Sequence, residues 1–183
     1  MCAIQRARKT DAMAGDEKVP FDLASYERRV HENAQRGTCF ICAIVDGEDD
    51  EHLVVWRDDV CIAFLAKFPT LRGCCLLAPL DHRTGVVDDF AEDEYAQLQR
   101  RVHRLGRAVA QAVPTERLYV LSLGSRDGNA HVHWHVAPLP PGVPYREQQY
   151  AALMHENGYL DLSRQEQSSL ASRITGLLDV EPA

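Results

Sequence analysis

The chain has no apolar run that approaches the roughly twenty residues of a membrane-spanning helix. Its residues 1–9 lack the apolar stretch of a secretory signal. Basic residues are also in deficit, since 20 Lys and Arg stand against 27 Asp and Glu and the formal net charge is −7. Nucleic acids and anionic membranes attract proteins through basic surface patches, so this balance argues against both as main partners. We therefore predict a cytoplasmic protein that binds neither nucleic acid nor membrane.

The sequence contains no internal repeat and no low-complexity tract, and 183 residues suit one domain with added terminal segments. Six cysteines are present. Because the cytosol reduces exposed disulfides, we expect thiols or metal ligands rather than a disulfide framework. Residues 1–18 are small, charged and aperiodic, which predicts a flexible N-terminal tail. A helix follows, with Asp22 as its N-cap and Gly37 at its exit.

Hydrophobic periodicity in the rest of the chain predicts an α+β domain with an antiparallel sheet. The first three strands are expected as a meander and the last two as a hairpin, at residues 53–56, 60–65, 74–78, 119–123 and 130–138. Helices are expected at residues 92–113, 147–156 and 164–178. The first of these is closed by Pro114, and the last is capped by Ser163.

The most informative segment is residues 130–138, where His131, His133 and His135 alternate with apolar residues. On a strand, every second side chain points to the same face, so the three imidazoles are expected in one row, roughly 6.5 Å apart. Imidazole, with an unperturbed pKa of about 6.5, acts near neutral pH as a base, a nucleophile or a metal ligand. The alternatives are an accidental cluster on an exposed face and a metal held by histidines. A straight strand places its first and third residues too far apart to share one ion, so a third ligand would come from elsewhere.

A Cys-x-x-Cys pair at Cys39 and Cys42 is a weak signal by itself, shared by zinc sites, redox motifs and chance. A thioredoxin-like motif needs a helix that starts at the second cysteine, and residues 43–47 are too short for one, which disfavours redox chemistry. A tetrahedral zinc would need two more ligands, for which His82 and one histidine of the row are candidates. The remaining cysteines in strand patterns, Cys61, Cys74 and Cys75, are expected as buried thiols.

In order along the chain, these residues resemble the HIT superfamily of nucleotide hydrolases and transferases, whose histidine triad has the pattern of residues 130–138. The resemblance spans roughly residues 39–139. It includes the Cys-Phe-Ile-Cys sequence, Ala63-Phe64-Leu65, the loop with Pro69 and Gly73, the apolar strand that ends at Pro79, His82, the long helix and the triad.

The resemblance implies an α+β HIT-like fold, an antiparallel sheet with a long helix, for a HIT domain that we place at residues 39–142. The residue patterns add terminal helices, with an N-terminal helix at 19–38 and a C-terminal helical extension at 143–183. The resemblance also implies a homodimer that binds a nucleotide or a nucleotide conjugate beside the triad strand.

Three site roles follow from the resemblance. His133 would be the nucleophile that attacks the α-phosphorus and forms a covalent nucleotidyl-histidine. His135 would hydrogen-bond the phosphate oxygens and neutralise developing charge. Asn129 would contact phosphate or leaving group through its amide, and its alternative role is that of a turn residue. Arg83 and Arg126 are further candidates to attract phosphate, unless they are merely solvated.

Zinc-bearing members of the superfamily hold the metal through residues that match Cys39, Cys42, His82 and His131 here. The resemblance thus implies a structural Zn²⁺ whose four protein ligands close its coordination shell.

The sequence departs from the pattern at Ala66, where many members carry an acidic or amide residue that grips the ribose hydroxyls. Phe64 and Phe68 would pack near a base or, more simply, in the core. Two functions stay open. One is an enzyme, a hydrolase or nucleotidyltransferase acting on nucleoside phosphoramidates or dinucleoside polyphosphates. The other is a non-catalytic nucleotide-binding or regulatory module.

Overall fold

The computed structural model describes residues 17–125 and 128–179, and within them it contains seven strands and five α-helices. The strands are β1 (Lys18–Val19), β2 (Val54–Arg57), β3 (Cys61–Leu65), β4 (Cys75–Pro79), β5 (Arg117–Ser122), β6 (Trp134–Leu139) and β7 (Tyr159–Leu160). The helices are α1 (Leu23–Gln35), α2 (Phe40–Asp46), α3 (Glu92–Ala112), α4 (Tyr150–Leu153) and α5 (Arg164–Leu178), with 3-10 turns at Tyr145–Glu147 and His155–Asn157. The tail predicted at residues 1–18 lies outside the described residues except for its last two, and Lys18 begins β1.

Five strands form one antiparallel sheet in the order β2-β3-β4-β6-β5. The predicted α+β class, the meander and the hairpin are confirmed. The register places Phe64, Leu76, His135 and Leu121 in one row across four strands. Because side chains on a strand alternate between faces, this row lies on one face, here called the histidine face, with Ile62 and Ala78.

The opposite face of the sheet packs against α3 and α5 and forms the main core. Leu98, Val102, Leu105 and Val109 follow the three- and four-residue steps of α3 and are buried. Val113 is extended at the end of α3, as expected for a residue before proline. Within the described residues, no helix combines the length and the apolar composition that a bilayer span requires.

Helix α5 contributes directly to this core, through Leu170, Ala171, Ile174 and Leu178. Its start is fixed by a capping box, in which Ser163 accepts from the backbone of Glu166 while the Glu166 carboxylate accepts from the backbone of Ser163. The cap and the bounds predicted for this helix are confirmed.

Helix α2 was not predicted, because residues 43–47 are too few for a helix that begins at Cys42. The helix begins earlier, at Phe40, so Cys42 lies in its first turn. The Cys39 sulfur accepts from the backbone N–H of Cys42 and takes the part of an N-cap oxygen. Gly47 ends the helix with φ 75°, a left-handed conformation in which glycine carries no steric penalty. Ile41 and Ile44 then pack on the histidine face, next to Phe64 and Leu76.

The helix predicted at residues 147–156 is wrong in its extent. Gln149 has φ 56°, which a right-handed helix does not admit, and Met154 is extended. The segment is therefore divided into a 3-10 turn, the four-residue α4 and a second 3-10 turn. Beyond it, β7 pairs antiparallel with β1, so the start of the described chain meets the segment between α4 and α5. Strands of two residues are too short to show a period in the sequence.

The strand predicted at residues 130–138 is also shorter than expected. It begins at Trp134, so only His135 of the three histidines lies within it. The backbone N–H of Val132 donates to the carbonyl of Arg83 at 2.7 Å, which takes this segment out of the sheet ladder. His131 and His133 are consequently placed by loop hydrogen bonds rather than by strand alternation.

The burial of Ile174 provides a test of whether α5 is an integral part of the fold. Ile174 is 0 % exposed within the main core. Its substitution Ile174→Ala is expected to lower the free energy of unfolding by about 2–5 kcal/mol, because a buried cavity replaces the side chain. Chemical denaturation measures this change. Ser172→Ala, at an exposed position of the same helix, is the matched control. An Ile174→Ala loss no larger than that of the control would mean that α5 does not stabilise the sheet.

Candidate functional site

Two cysteines and two histidines converge at one end of the histidine face. Cys39 and Cys42 come from the start of α2, His82 follows β4, and His131 precedes β6. Their potential ligand atoms all lie within 4.8 Å of one another. The structure thus brings together the four residues for which the sequence predicts a metal site, and we call them the cysteine–histidine cluster.

The spacings in this cluster fit a tetrahedral metal. His131 Nδ1 lies 3.6 Å from the sulfur of Cys39 and 3.6 Å from that of Cys42. His82 Nδ1 lies 3.3 Å from the Cys42 sulfur. With Zn–S bonds of about 2.3 Å and Zn–N bonds of about 2.0 Å, tetrahedral geometry separates sulfur and nitrogen ligands by roughly 3.5 Å. The donor set and its spacing therefore match those of a structural zinc.

The hydrogen bond on the far side of His131 prepares it as a ligand. Its Nε2 lies 3.0 Å from the carbonyl oxygen of Pro79, which can only accept, so Nε2 carries the proton. Nδ1 then directs its lone pair at the cysteines, the arrangement that metal-bound histidines usually have. Burial lowers the pKa of His131 to about 4 and keeps the ring neutral.

Burial has the opposite effect on the thiol. It raises the pKa of Cys42 to about 11, with the neighbouring Cys39 acting in the same direction. Without a cation the cluster thus holds Cys42 as a neutral thiol, and a bound divalent metal would stabilise its thiolate.

His133 lies beside this cluster and is only 4 % exposed. Its Nδ1 is 2.7 Å from the carbonyl oxygen of His131, so Nδ1 carries the proton and Nε2 has a free lone pair. Burial lowers the pKa of His133 and favours its neutral form. The Ser122 hydroxyl donates to the His133 carbonyl at 2.7 Å and fixes the backbone. Phe40 of α2 presents its ring edge to the imidazole at 6.5 Å.

His135 lies on β6, beside His133. Its ring centroid lies 4.9 Å from that of His133, at an interplanar angle of 60°. Burial, together with the positive charges that His133 and His155 would carry, lowers the pKa of His135 to about 4. His133 and His135 thus form a pair of neutral imidazoles, while His131 belongs to the cysteine–histidine cluster.

Asn129 occupies the turn before the histidines. Its φ of 53° is left-handed, in agreement with the alternative role of a turn residue. Its amide nitrogen donates to the Tyr26 hydroxyl of α1 at 3.2 Å. Next to it, a Cβ on Gly128 would lie 2.0 Å from a methyl carbon of Val30, so only glycine permits this approach of α1.

Of the two arginines considered as phosphate ligands, the structure describes only Arg83. Arg126 lies outside the described residues. Arg83 donates to the Asp89 carbonyl and lies within ion-pair distance of Asp81 and Glu94. Its guanidinium is therefore engaged by the protein itself.

Sequence patterns did not reveal a group of aromatic side chains that come from three separate segments of the chain. We call this group the aromatic clasp, and it consists of Phe21, Tyr26, Phe68, His155 and Tyr159. Its rings lie 4.7–6.4 Å apart between centroids. Its members are far apart in sequence and belong to short or irregular segments, so no periodicity indicates them.

A cavity of about 550 Å³ lies next to the clasp and is lined in part by Phe68 and Tyr159. None of the three triad histidines lines it, and its other walls include Asp50, Lys67 and Arg164. The cavity is therefore distinct from the histidine face.

The sheet, the paired imidazoles and the cysteine–histidine cluster together define an α+β protein of the histidine-triad class. The HIT domain family matches residues 47–141. An uncharacterized HIT-like protein of Saccharolobus solfataricus is 31% identical over an alignment of 121 residues. The alignment covers 60% of this chain and 86% of that protein. The chain belongs to the HIT family.

Solved structures agree in fold. A hypothetical histidine triad nucleotide-binding protein from Sulfolobus tokodaii has a TM-score of 0.63 at 23% identity, covering 77% of this chain and 92% of its own. A Zn-bound histidine triad family protein from Mycobacterium smegmatis has a TM-score of 0.62 at 19% identity, covering 78% and 94% respectively. The predicted HIT-like fold is thus confirmed, whereas the boundaries of the HIT domain at residues 39–142 stay a prediction.

The tautomer of His133 is directly measurable. The carbonyl of His131 requires a proton on Nδ1, so nitrogen-15 NMR of the neutral ring is expected to show Nδ1 protonated and Nε2 unprotonated. His133→Ala identifies the resonances. An unprotonated Nδ1 would contradict the hydrogen bond on which the orientation of this ring depends.

Proposed function

We propose that the protein is a nucleotide hydrolase or nucleotidyltransferase with His133 as the nucleophile. Its substrates are nucleoside phosphoramidates or dinucleoside polyphosphates, which are attacked at the α-phosphate. The observation that carries the proposal is the hydrogen bond from His133 Nδ1 to the His131 carbonyl, at 2.7 Å. It gives a neutral imidazole a fixed orientation and an available Nε2 lone pair, which are the properties that a nitrogen nucleophile requires.

The reaction proceeds in two displacements. Nε2 of His133 forms a bond to the α-phosphorus while the bond from phosphorus to the leaving group breaks, and the leaving group gains a proton. Water or another acceptor then attacks the same phosphorus and loses a proton. The P–N bond breaks, and the nucleoside monophosphate or transferred nucleotide is released with Nε2 restored. Division into two steps replaces one difficult displacement with two easier ones.

His135 supports these steps through its position beside His133. An N–H of its neutral ring donates to a non-bridging phosphate oxygen, where negative charge increases in the transition state. Asn129 would contact phosphate or leaving group through its amide, which has to exchange its hydrogen bond with Tyr26 for one with the substrate.

Cys39, Cys42, His82 and His131 would hold a structural Zn²⁺. The spacings between their ligand atoms and the Pro79 hydrogen bond of His131 support this assignment. When bound, zinc supplies four bonds that fix α2 and the segment before β6, and the catalytic steps involve only the protein's own side chains. A zinc-bound relative of the same fold adds support.

A nucleotide is the proposed partner because the Sulfolobus tokodaii protein of the same fold is described as nucleotide-binding. The five described cysteines are free, which supports the predicted cytoplasmic location. The predicted homodimer is a separate proposal that light scattering of the purified protein checks.

The second candidate function is a binding module without turnover, favoured by the absence of a polar side chain at Ala66. Both candidates require a nucleotide on the histidine face. Only the enzyme requires a covalent bond to His133, so the intermediate discriminates between them.

The covalent intermediate is the first test. Brief incubation with adenosine phosphoramidates and dinucleoside polyphosphates, quenched in neutral denaturant because phosphohistidine is acid-labile, is expected to add one nucleotidyl mass to the chain. His133→Ala is expected to show no adduct and a turnover at least about a thousandfold lower, because the nucleophile is absent.

His103→Ala is the matched control, since His103 is an exposed histidine on α3. It should label like the natural protein. Nucleotide binding without any adduct or turnover, for all donors, would favour the binding module. An adduct that persists in His133→Ala would assign the nucleophile to another residue.

The zinc site has its own test. The purified protein is expected to contain about one zinc per chain, and Cys39→Ser with Cys42→Ser is expected to contain none. Since metal binding contributes to folding, the free energy of unfolding should fall by on the order of several kcal/mol. Elemental analysis and chemical denaturation measure the two effects.

Cys74→Ala is the control for loss of a thiol, because Cys74 is a free, buried cysteine outside the cluster. It should keep the metal. A natural protein purified without metal that takes up no added zinc would refute the assignment.

A further inference from the structure

His155 belongs to the segment that follows the sheet and packs on the histidine face. Ala152, three residues before His155, lies in one cluster with Cys74 and Ala137, which are one row beyond Leu76 and His135 on that face. Nε2 of His155 is 3.0 Å from the carbonyl oxygen of Phe68, and the ring centroid of His155 is 4.7 Å from that of Phe21. Since a carbonyl only accepts, Nε2 carries the proton and Nδ1 has a free lone pair. Across residues 17–125 and 128–179, no group donates a hydrogen bond to this Nδ1.

The neighbourhood of His155 connects it to the proposed reaction site. Phe68, which binds it, follows Ala66 by two residues, and Ala66 continues β3 by a backbone hydrogen bond to Cys74. Ala66 contacts apolar clusters on both sides of it, which include Leu76 at one side and Leu71 at the other. His155 also lies near enough to His135 for their charged forms to repel.

The side chains in this region offer few polar groups to a sugar. Ala66 has none, and its neighbours in both clusters are apolar or thiols apart from Tyr119, whose hydroxyl already accepts from the backbone N–H of Gln149. The α-phosphate of a nucleotide is bonded to the 5′ oxygen of its ribose, so a phosphate at His133 and His135 brings the sugar close to them. Ala66 is partly exposed on the same face, next to the segment that carries His155. An unpaired acceptor on a ring fixed through its other nitrogen is suited to a hydroxyl donor.

We infer that Nδ1 of His155 accepts a hydrogen bond from a ribose hydroxyl of the substrate, which makes the C-terminal segment part of the sugar-binding site. The inference rests on the proposed function, since it requires a nucleotide on the histidine face. Loss of the hydroxyl leaves this half-buried acceptor without a partner while the bound ligand covers it, so the protein discriminates between ribose and sugars that lack hydroxyls.

Binding of 5′-monophosphates of adenosine and guanosine, each compared with its 2′,3′-dideoxy counterpart, tests this inference by calorimetry and without turnover. The natural protein is expected to bind the ribose form about ten- to a hundredfold more tightly. In His155→Phe, which keeps a ring against Phe21 but has no nitrogen, the two forms should bind within about twofold of each other. His103→Ala should discriminate like the natural protein.

Circular dichroism checks the fold of each variant. If His155→Phe does not fold, nitrogen-15 NMR of the natural protein replaces it, because the His155 Nδ1 resonance should shift with the ribose form and stay unchanged with the dideoxy form. Equal binding of ribose and dideoxy forms by the natural protein, or full discrimination by the folded variant, would overturn the inference while leaving the proposed function intact. If no ribonucleotide binds at all, the proposed function itself fails, and the inference fails with it.

Discussion

His131 is the residue on which the rest of the site depends, because three of its groups make essential contacts at once. Its Nδ1 faces the sulfurs of Cys39 and Cys42, its Nε2 donates to Pro79, and its carbonyl accepts from His133. The first contact fixes the ring against α2, and the second fixes its tautomer. The third transmits that position to the proposed nucleophile. A shift of the cysteine–histidine cluster would therefore move the carbonyl that determines which nitrogen of His133 is free.

This arrangement explains why the triad alternates in sequence without forming one regular strand. Before Trp134, two other hydrogen bonds replace those of the sheet ladder. Nδ1 of His133 donates to the carbonyl of His131, and the backbone N–H of Val132 donates to the carbonyl of Arg83. His135 alone takes its direction from the sheet, through its place in the row with Leu76 and Leu121. The loop before Trp134 turns one histidine to the cluster and the next to the face where His135 lies. A straight strand would have made the three imidazoles equivalent, whereas the irregular segment gives them separate roles.

The sequence was sufficient for the parts of the fold that have a period or a cap. Helix α3 follows from the spacing of Leu98, Val102 and Leu105, and α5 follows from Ser163. From the order of the motifs along the chain we also predicted that the four members of the cysteine–histidine cluster lie together, and the structure places them so. Helix α2 was missed because it begins at Phe40, ahead of the residues judged too few for a helix, and its cap is a sulfur in place of the usual oxygen. The segment after Gln149 was misjudged because a positive φ has no sequence signature there. His155 was missed for a related reason, since its partner Phe68 is 87 residues away.

The start of the described chain meets the segment between α4 and α5 beside the site. β1 pairs with β7, and Phe21 joins His155 and Tyr159 in the aromatic clasp. The N-terminal segment continues into α1, which packs on Gly128 and binds Asn129 through Tyr26. The turn before the histidines and the segment that carries His155 are thus connected through one set of aromatic contacts. In the proposed function, therefore, the triad and its cluster carry the chemistry, while the segments with Tyr26 and His155 supply the contacts by which one substrate would be distinguished from another.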